Sequence, residues 1–327
     1  MGMELLKNTF WGSTPAKVQG ICIVVAFAFM AFFIPNYTGS YTPVFVAWTM
    51  SYVVLTISWN FFSGKTGYIS LATAAFYGLG MYIQAMFGRQ FPLYATAFIA
   101  AAVTFIIGYG LGIVTLRLRG IYFTIFTFGL ALFLNKFFHW YEGVFTLTKG
   151  RMVKPYSNET VFFAVLIVLA ITLIAIIILN KSRFGLSLKC IGQNEDGAQH
   201  IGVSTTRTKA LAFALSAAPC GAVGAIMSTA YGYIDPDIAF RILASFFPVL
   251  MAIFGGMSST YGPIVGAVIF YLLQYYLIQV TSYYMIIFGV IMIAVVLLMP
   301  KGMFGTIEAL SAKRRRDFER EQVTGDV

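Results

Sequence analysis

The sequence predicts an all-α integral membrane protein with about ten transmembrane helices in a single bundle and both termini in the cytoplasm. The chain has 327 residues, of which 59% are hydrophobic and 10% are charged, and its mean hydropathy is +0.82. A soluble domain carries about 25% charged residues, so this composition cannot cover a water-facing surface. Apolar runs of about 20 residues recur along the chain. Each is long enough to cross ~30 Å of hydrocarbon as a helix, which satisfies its own backbone.

Ten apolar runs define the predicted spans. They are residues 18–35, 44–62, 68–88, 91–116, 119–138, 160–180, 209–231, 242–258, 262–280 and 283–299. Because the first run lacks a small-residue cleavage site, we expect a retained helix rather than a signal peptide. The chain then divides into a cytoplasmic N-terminal segment (1–17), a transmembrane domain (18–300) with a long cytoplasmic loop (181–208), and a basic cytoplasmic tail (301–327).

Basic residues predict the orientation of the spans, because cytoplasmic loops carry an excess of positive charge. With the N-terminus inside, the connections that also fall inside are those at Lys65, at Arg117 and Arg119, at 181–208 and from Lys301 onward. One outer connection, residues 139–159, disagrees because it holds Lys149, Arg151 and Lys154. An external basic patch of this kind can face a soluble partner.

Small residues within the spans predict a tightly packed bundle, since glycine lets helix backbones approach closely. The glycines in such positions are Gly108, Gly112, Gly221, Gly224, Gly262 and Gly266. This pattern describes packing in lipid and does not by itself define a function.

The net charge of +10 does not indicate nucleic-acid binding. The cations lie in short loops beside apolar spans and in the tail at 313–316, where membrane topology explains them. The three cysteines, Cys22, Cys190 and Cys220, have no metal-ligand spacing and imply no disulfide framework.

The chain also lacks the motifs of an enzyme. Gly64-Lys65-Thr66 resembles the end of a phosphate-binding loop, but Trp59 stands where the first glycine is needed and no strand precedes it. With only His139 and His200, no metal site is expected, and no nucleophile, base and acid lie at one depth. Ionisable groups are nearly missing from the spans, which argues against a proton-driven carrier.

The most informative segment is residues 182–208, the long polar insertion between apolar spans. Asn194 is a suitable helix N-cap, Glu195 and Asp196 suit the positive end of the helix dipole, and Gly202 suits the C-terminal stop. The pattern predicts a short helix along the membrane face. Gly197 within it costs about 1 kcal/mol relative to alanine, so we expect a partner to help hold it. The alternative is a solvated connector.

Several stretches of this chain resemble one known family. They are SRFG (182–185), NEDGAQHIGV (194–203), TKALAFALSA (208–217), SGKTGYISLATAAFYGLGMY (63–82), LRLRGIYFTIFTFGLAL (116–132), FGGMSSTYGPIVGAV (254–268) and LLMPKGMFG (297–305). In order and over roughly residues 55–305, the chain is similar to the permeases of branched-chain amino acid ABC importers, in their LivM-like branch.

The resemblance implies a permease without a cofactor of its own, in a bacterial inner membrane and in contact with membrane lipid. Its implied partners are a second homologous permease subunit, two ABC ATPase subunits that use ATP and Mg, and an external periplasmic solute-binding protein. The loop at 181–208 would fit a cleft in the ATPase. The residues implied to couple to the ATPase are Arg183, Gly185, Asn194, Glu195, Asp196, Ala198 and Gly202.

Hydroxyl side chains at 63–77 are candidates for the lining of a substrate pathway. They are Ser63, Thr66, Ser70, Thr73 and Tyr77. Glycines there predict a helix break, which a membrane protein tolerates where protein or a cavity satisfies the backbone. Ordinary packing of a small-residue helix is the alternative. The chain has Ala72 and Thr73 where the family usually has glycine and histidine.

The expected function is ATP-driven import of branched-chain amino acids or a related small polar solute. Urea, short amides and aromatic acids are alternatives among relatives. A secondary carrier or passive channel would also explain the spans but leaves the 182–208 loop without a role. A membrane-embedded enzyme or assembly scaffold would need a reactive constellation that the sequence does not contain.

Overall fold

The computed structural model describes residues 42–116, 118, 120–147, 149–257, 261–280, 283, 286–287, 289–290, 293 and 302. In this part of the chain, the helices long and apolar enough to cross a membrane are Thr42–Thr66, Leu93–Thr115, Ile121–Thr146, Asn158–Lys181, Thr205–Tyr231, Pro236–Gly255 and Gly262–Gln279. The chain is therefore an all-α, multi-pass membrane protein. The predicted spans 18–35 and 283–299 and both terminal segments lie wholly or mostly outside the described residues, so the count of ten and the cytoplasmic termini stay predictions.

Helices and one short pair of strands follow one another along the described chain. The first helices are α1 (Thr42–Thr66), α2 (Thr73–Phe87), α3 (Leu93–Thr115) and α4 (Ile121–Tyr141), which continues into a π-helical turn (Glu142–Thr146). The middle of the chain holds β1 (Arg151–Met152), α5 (Asn158–Lys181), α6 (Arg183–Gln193), α7 (Glu195–His200) and α8 (Thr205–Tyr231). The last elements are β2 (Tyr233–Ile234), α9 (Pro236–Ala239), α10 (Leu243–Gly255) and α11 (Gly262–Val280).

Local sequence explains where two of the long helices begin and end. The Ser157 hydroxyl accepts a hydrogen bond from the Thr160 amide at 3.3 Å and caps the start of α5. α8 ends before Gly232, whose φ of +70° glycine adopts without strain. Pro219 lies inside α8 without ending it.

α8 lies at the centre of the bundle and packs against α1, α2, α3 and α5. Its Gly221 lies against Ala100 and Thr104 of α3, and a Cβ on Gly221 would overlap both. Gly224 lies just as closely against the Tyr77 carbonyl of α2. The glycine pattern in the sequence therefore predicted close helix packing correctly at these positions.

The predicted span at 68–88 is not one continuous helix. α2 has only 15 residues, about 22 Å of helix, which is shorter than the hydrocarbon core. The preceding residues, 67–72, are non-helical and form what we name the 67–72 break. Gly67 turns the chain out of α1 with a φ of +74°. The apolar run reads as one span because hydropathy does not distinguish extended from helical chain.

The 181–208 loop contains two helices where the sequence predicted one. The Ser182 hydroxyl accepts a hydrogen bond from the Gly185 amide at 3.4 Å and starts α6, which the prediction did not include. Asn194 ends α6 and caps α7 as predicted, accepting from the Gly197 amide at 2.9 Å. Gly202 follows α7 with a φ of +86°, so it stops the helix as predicted.

Candidate functional site

Side chains from several helices satisfy the backbone of the 67–72 break. The Ser245 hydroxyl donates to the Leu71 carbonyl at 2.7 Å and accepts from the Ala74 amide at 3.0 Å. The Thr127 hydroxyl accepts from the Leu71 amide at 3.0 Å. Trp59 of α1 donates from its indole nitrogen to the Ser70 carbonyl at 2.7 Å. The sequence predicted a helix break here, and these contacts are how an apolar bundle accommodates non-helical backbone.

A small cavity lies beside the break. It is lined by Trp59, Phe62, Ser63, Ser70, Thr73, Phe76, Phe213, Ser216 and Cys220. Its volume is about 10 Å³, which is room for about one water molecule. In this conformation the gap is therefore too small for an amino acid.

The structure brings together three of the five predicted pathway residues. Ser63, Ser70 and Thr73 line the cavity. Thr66 is not part of this lining, and its hydroxyl donates to the Phe62 carbonyl at 2.8 Å within α1. Tyr77 is buried further along α2, with its backbone against α8. Their role in a pathway stays a prediction.

A buried ionic cluster connects the break to the 181–208 loop. The Lys209 ammonium donates to Glu195 Oε1 at 2.6 Å, to the Tyr68 hydroxyl at 3.1 Å and to the Leu116 carbonyl at 3.2 Å. The Tyr68 hydroxyl donates to Glu195 Oε2 at 2.5 Å. The Lys209 ammonium also lies 4.3 Å from the centre of the Tyr68 ring. We name these side chains, Tyr68, Glu195 and Lys209, the lysine clasp.

The lysine clasp links four parts of the chain: α7, the start of α8, the break and the end of α3. Lys209 is only 1% exposed, and a buried ammonium is very costly unless it is paired and hydrogen-bonded. Movement of one of these four parts alone would break contacts of the buried Lys209 ammonium. We therefore expect the four parts to move together. Sequence reasoning missed this cluster because it considered Glu195 only as a helix-dipole acid and gave no partner to Lys209, the first residue of the predicted span 209–231. The available signal was a lysine at the start of the apolar run 209–217.

The predicted ATPase-coupling residues divide into an exposed and an inward group. The exposed ones are Arg183, Asn194, Asp196 and Gly202, and the inward or half-buried ones are Gly185, Glu195 and Ala198. Gly185 packs against the end of α5, where a Cβ would overlap the Leu179 carbonyl. Two exposed apolar side chains that the sequence reasoning missed, Leu186 and Ile201, are 63% and 71% exposed. The segment thus offers a mixed polar and apolar surface.

The connection at 142–157 is anchored by a buried carboxylate. Glu142 accepts from the Tyr82 hydroxyl at 3.0 Å and from the Gly150 amide at 2.9 Å, and Arg151 lies 3.8 Å away. β1 pairs with β2 in antiparallel register and ties the connection to the end of α8. Arg151 is thus partly neutralised, whereas the predicted basic patch keeps Lys149 and Lys154 exposed. Lys154 and Arg89 line an open groove of about 690 Å³.

The described part of the chain contains two cysteines and no cluster of metal ligands. There, no three or more His, Cys, Asp and Glu side chains lie close enough together to hold a metal ion. Cys190 and Cys220 are free thiols, and Cys220 is buried. Cys22 lies outside the described residues.

Known proteins that resemble this chain are transport permeases. The family model described as branched-chain amino acid transport system / permease component matches residues 43–296. The high-affinity branched-chain amino acid transport system permease protein LivM of Salmonella typhimurium is 25% identical over 289 residues, which cover 78% of this chain and 68% of the relative. The corresponding LivH protein of Escherichia coli is also 25% identical, over 79% of this chain and 92% of the relative. The nucleoside ABC transporter permease protein NupB of Lactococcus lactis is 27% identical over 36% of this chain and 32% of its own length. No solved structure matches.

Proposed function

This chain belongs to the family of branched-chain amino acid transport system permease components, and we propose that it is one of two permease subunits in an ATP-driven importer of branched-chain amino acids. A second homologous permease, two cytoplasmic ATPases that use ATP and Mg, and an external solute-binding protein complete the assembly. The chain itself supplies no nucleotide site and acts in a bacterial inner membrane. The observation that carries this proposal is the lysine clasp, which connects the 181–208 loop to the 67–72 break.

In the proposed mechanism, closure of the ATPases moves α6 and α7. The exposed side chains Arg183, Asp196 and Ile201 contact the ATPase, and the buried Gly185 and Ala198 hold the segment against the bundle. The lysine clasp passes the movement to the 67–72 break. The break then opens the small cavity beside Ser63, Ser70 and Thr73 toward one membrane face at a time.

On the opposite face, the proposed partner is the solute-binding protein. Lys149, Lys154 and Arg89 give this face exposed positive charge that complements an acidic lobe. Among the described residues that line the cavity at the break, none is acidic, basic or a histidine. Selectivity for the solute then resides mainly in the binding protein, and the permease passes a zwitterion without holding it tightly.

Purification of the tagged chain from its native membrane in mild detergent tests the proposal. We expect recovery of a second permease and ATPases, together with ATP-dependent leucine uptake in membrane vesicles. Ile201→Glu places a charge on the exposed surface of the 181–208 loop. It should reduce ATPase recovery at least about tenfold, because the new carboxylate would lose its hydration in the contact between this loop and the ATPase. The matched control is Leu147→Glu, because Leu147 is 86% exposed in the connection predicted to lie outside.

Each other outcome has a defined meaning. Recovery of the chain alone, with solute movement that persists without ATP, would establish a secondary carrier or passive channel instead. Uptake of nucleosides but not of leucine would support an ATP-driven importer but contradict the proposed substrate. Equal loss of ATPase with Ile201→Glu and Leu147→Glu would remove the 181–208 loop as the contact.

A further inference from the structure

A second, larger cavity lies where α1, α5 and α6 meet, at the predicted cytoplasmic end of the bundle. Its volume is about 370 Å³, within the range of sites for small molecules. The polar part of its lining consists of Asn60, Lys65, Asn180, Lys189 and Gln193. The apolar part consists of Ile57, Phe61, Leu173, Ile176 and Met257. The cavity shares no lining residue with the one beside the break.

The ends of the three helices contact one another around the cavity. A Cβ on Gly192 of α6 would overlap the Lys65 carbonyl at the end of α1, so the two backbones touch. The Lys65 ammonium donates a hydrogen bond to Asn180 Oδ1 at the end of α5. These contacts fix the positions of the groups that line the cavity.

The polar lining is positively charged. Lys65 and Lys189 both line the cavity, and its described lining residues include no carboxylate. The Lys65 ammonium has three N–H groups, of which the hydrogen bond to Asn180 uses one. Lys189 and Gln193 are exposed at the mouth and supply further N–H donors. Because two ammonium groups in one cavity repel each other, the lining favours an anion with several acceptor oxygens.

The apolar lining lies deeper in the membrane than the lysines. Along α1, Ile57 precedes Lys65 by about 12 Å of helix, and along α5, Leu173 precedes Asn180 by about 10 Å. Both helices run toward the predicted cytoplasmic face, so the cavity is charged at the membrane surface and lined by hydrocarbon below it. A small soluble anion would leave the deeper wall uncovered, whereas an acyl chain below an anionic headgroup would cover it.

We propose that this cavity binds an anionic phospholipid of the cytoplasmic leaflet. The phosphate oxygens accept hydrogen bonds from Lys65, Lys189 and Gln193. The first part of one acyl chain packs against Ile57 and Leu173. Anionic lipids are present in this leaflet, and a basic pocket between helices on this side of the membrane suits their headgroups. A phospholipid of this class carries the negative phosphate and the hydrocarbon chain in one molecule.

The bound lipid would join α1 and α5 to α6, the helix that precedes α7. Lys65 belongs to α1 and Lys189 to α6, so binding holds the 181–208 loop against the membrane-spanning helices. The lipid should therefore raise the unfolding temperature, because a ligand that binds only the folded state stabilises it. This inference does not rest on the proposed function, since a carrier or channel with the same cavity would bind the same lipid.

Binding of dihexanoyl-phosphatidylglycerol to the full-length chain, purified in a neutral detergent with any subunits that stay bound, tests the site. Native mass spectrometry counts the bound lipid molecules, and we expect saturable binding. Two competitors should act at least about tenfold less well than a deuterated copy of the probe. Dihexanoyl-phosphatidylcholine has a headgroup without net charge, and inorganic phosphate has no acyl chain.

Lys189→Gln should weaken binding about tenfold or more, because it removes a charge-assisted hydrogen bond at the exposed mouth of the cavity. Lys181→Gln is the matched control, since Lys181 is an exposed lysine at the same end of the bundle that does not line the cavity. Both substitutions remove one positive charge, so the general attraction of the chain for anionic lipid falls equally. Only Lys189→Gln should also remove most of the rise in unfolding temperature that the lipid causes.

Three results would contradict the lipid site. Equal competition by phosphatidylcholine would mean that the lysines do not recognise the anion. Equal competition by inorganic phosphate would replace the lipid by a soluble anion. Equal loss of binding in Lys189→Gln and Lys181→Gln would show diffuse attraction instead of a site. Each result would overturn this inference even where ATP-driven leucine uptake is normal, and lipid binding that depends on Lys189 would support it even where the chain imports no leucine.

Discussion

Lys209 and Glu142 are both buried charged side chains, but their surroundings give them different roles. Glu142 bonds to Tyr82 and to Gly150 eight residues later, so it stabilises a connection on one side of the bundle. Lys209 joins groups from α7, the 67–72 break and the end of α3. Glu142 therefore holds the 142–157 connection against α2, whereas Lys209 holds the 181–208 loop against the break and the end of α3.

At the scale of single residues, Glu195→Gln should strongly destabilise the folded protein. The substitution keeps the size of the side chain but leaves the buried Lys209 ammonium without its counter-charge, which costs about 3–5 kcal/mol. Adding Lys209→Met should restore part of the loss, because the unpaired charge is then gone. Thermal unfolding of the purified chain measures both effects. Leucine uptake by the Glu195→Gln variant should fall further than the loss of folded protein explains.

The control for this prediction is Arg207→Met, two residues before Lys209 and exposed. It should change stability by less than about 0.5 kcal/mol. Strictly additive losses for Glu195→Gln and Lys209→Met would show that the two side chains are not coupled, and would contradict the lysine clasp.

At the scale of elements, the unit formed by α1, the 67–72 break and α2 depends on hydroxyl groups from other helices. The Ser245 hydroxyl of α10 bonds to the Leu71 carbonyl in the break and to the Ala74 amide in the first turn of α2, and the Thr127 hydroxyl of α4 accepts from the Leu71 amide. A run of helix would need none of these contacts, because its backbone satisfies itself. The break therefore binds α4 and α10 to α1, and movement of the break requires these hydrogen bonds to exchange.

Ser245→Ala should accordingly destabilise the protein by about 1–3 kcal/mol. The substitution leaves the Leu71 carbonyl and the Ala74 amide without the hydroxyl partner in a fully buried site. Ser228→Ala is the matched control, since its hydroxyl is equally buried but donates only to a carbonyl of its own helix. Thermal unfolding of the two variants gives the comparison. Equal losses would mean that the break does not depend on Ser245.

In the 181–208 loop, the sequence predicted one of the two helices, α7, but not the other, α6. α7 was predictable because Asn194, two acids and Gly202 are local signals that act within one turn. α6 was not predicted, because its mixture of small, apolar and basic residues contains two glycines, and its helix is stabilised where Gly185 and Leu188 pack against the bundle. Ser182, whose hydroxyl caps the start of α6, was a local signal that the prediction did not use.

At the scale of the whole molecule, orientation follows from the distribution of charge. The described helices place Lys65, Lys189 and the 181–208 loop at one end of the bundle, and Arg89, Lys149 and Lys154 lie at the other. The first end is predicted to be cytoplasmic. The exposed cations at the other end are an exception to the positive-inside rule. Binding of a soluble partner to these cations would explain the exception.

An impermeant thiol reagent tests this orientation in intact cells. A cysteine placed by Lys154→Cys should react from outside, since the side chain is exposed, and Cys190 should react only after the membrane is opened. Cys220 is buried and should stay unreacted in both conditions, which makes it an internal control. The reverse pattern for Lys154→Cys and Cys190 would invert the topology and with it the assignment of the ATPase-binding face.

The sequence by itself determined the class of this protein, the approximate positions of the described spans and the family, because composition, apolar run length and local motifs depend on residues close together in the chain. Only the tertiary structure decided which residues of the 68–88 run are non-helical and which side chains satisfy them, that Lys209 meets Glu195 and Tyr68, and that Asn60 and two lysines share a cavity. Tyr68 and Lys209 are 141 residues apart. No local signal encodes such a pairing, because the burial that makes it necessary is created when the helices pack.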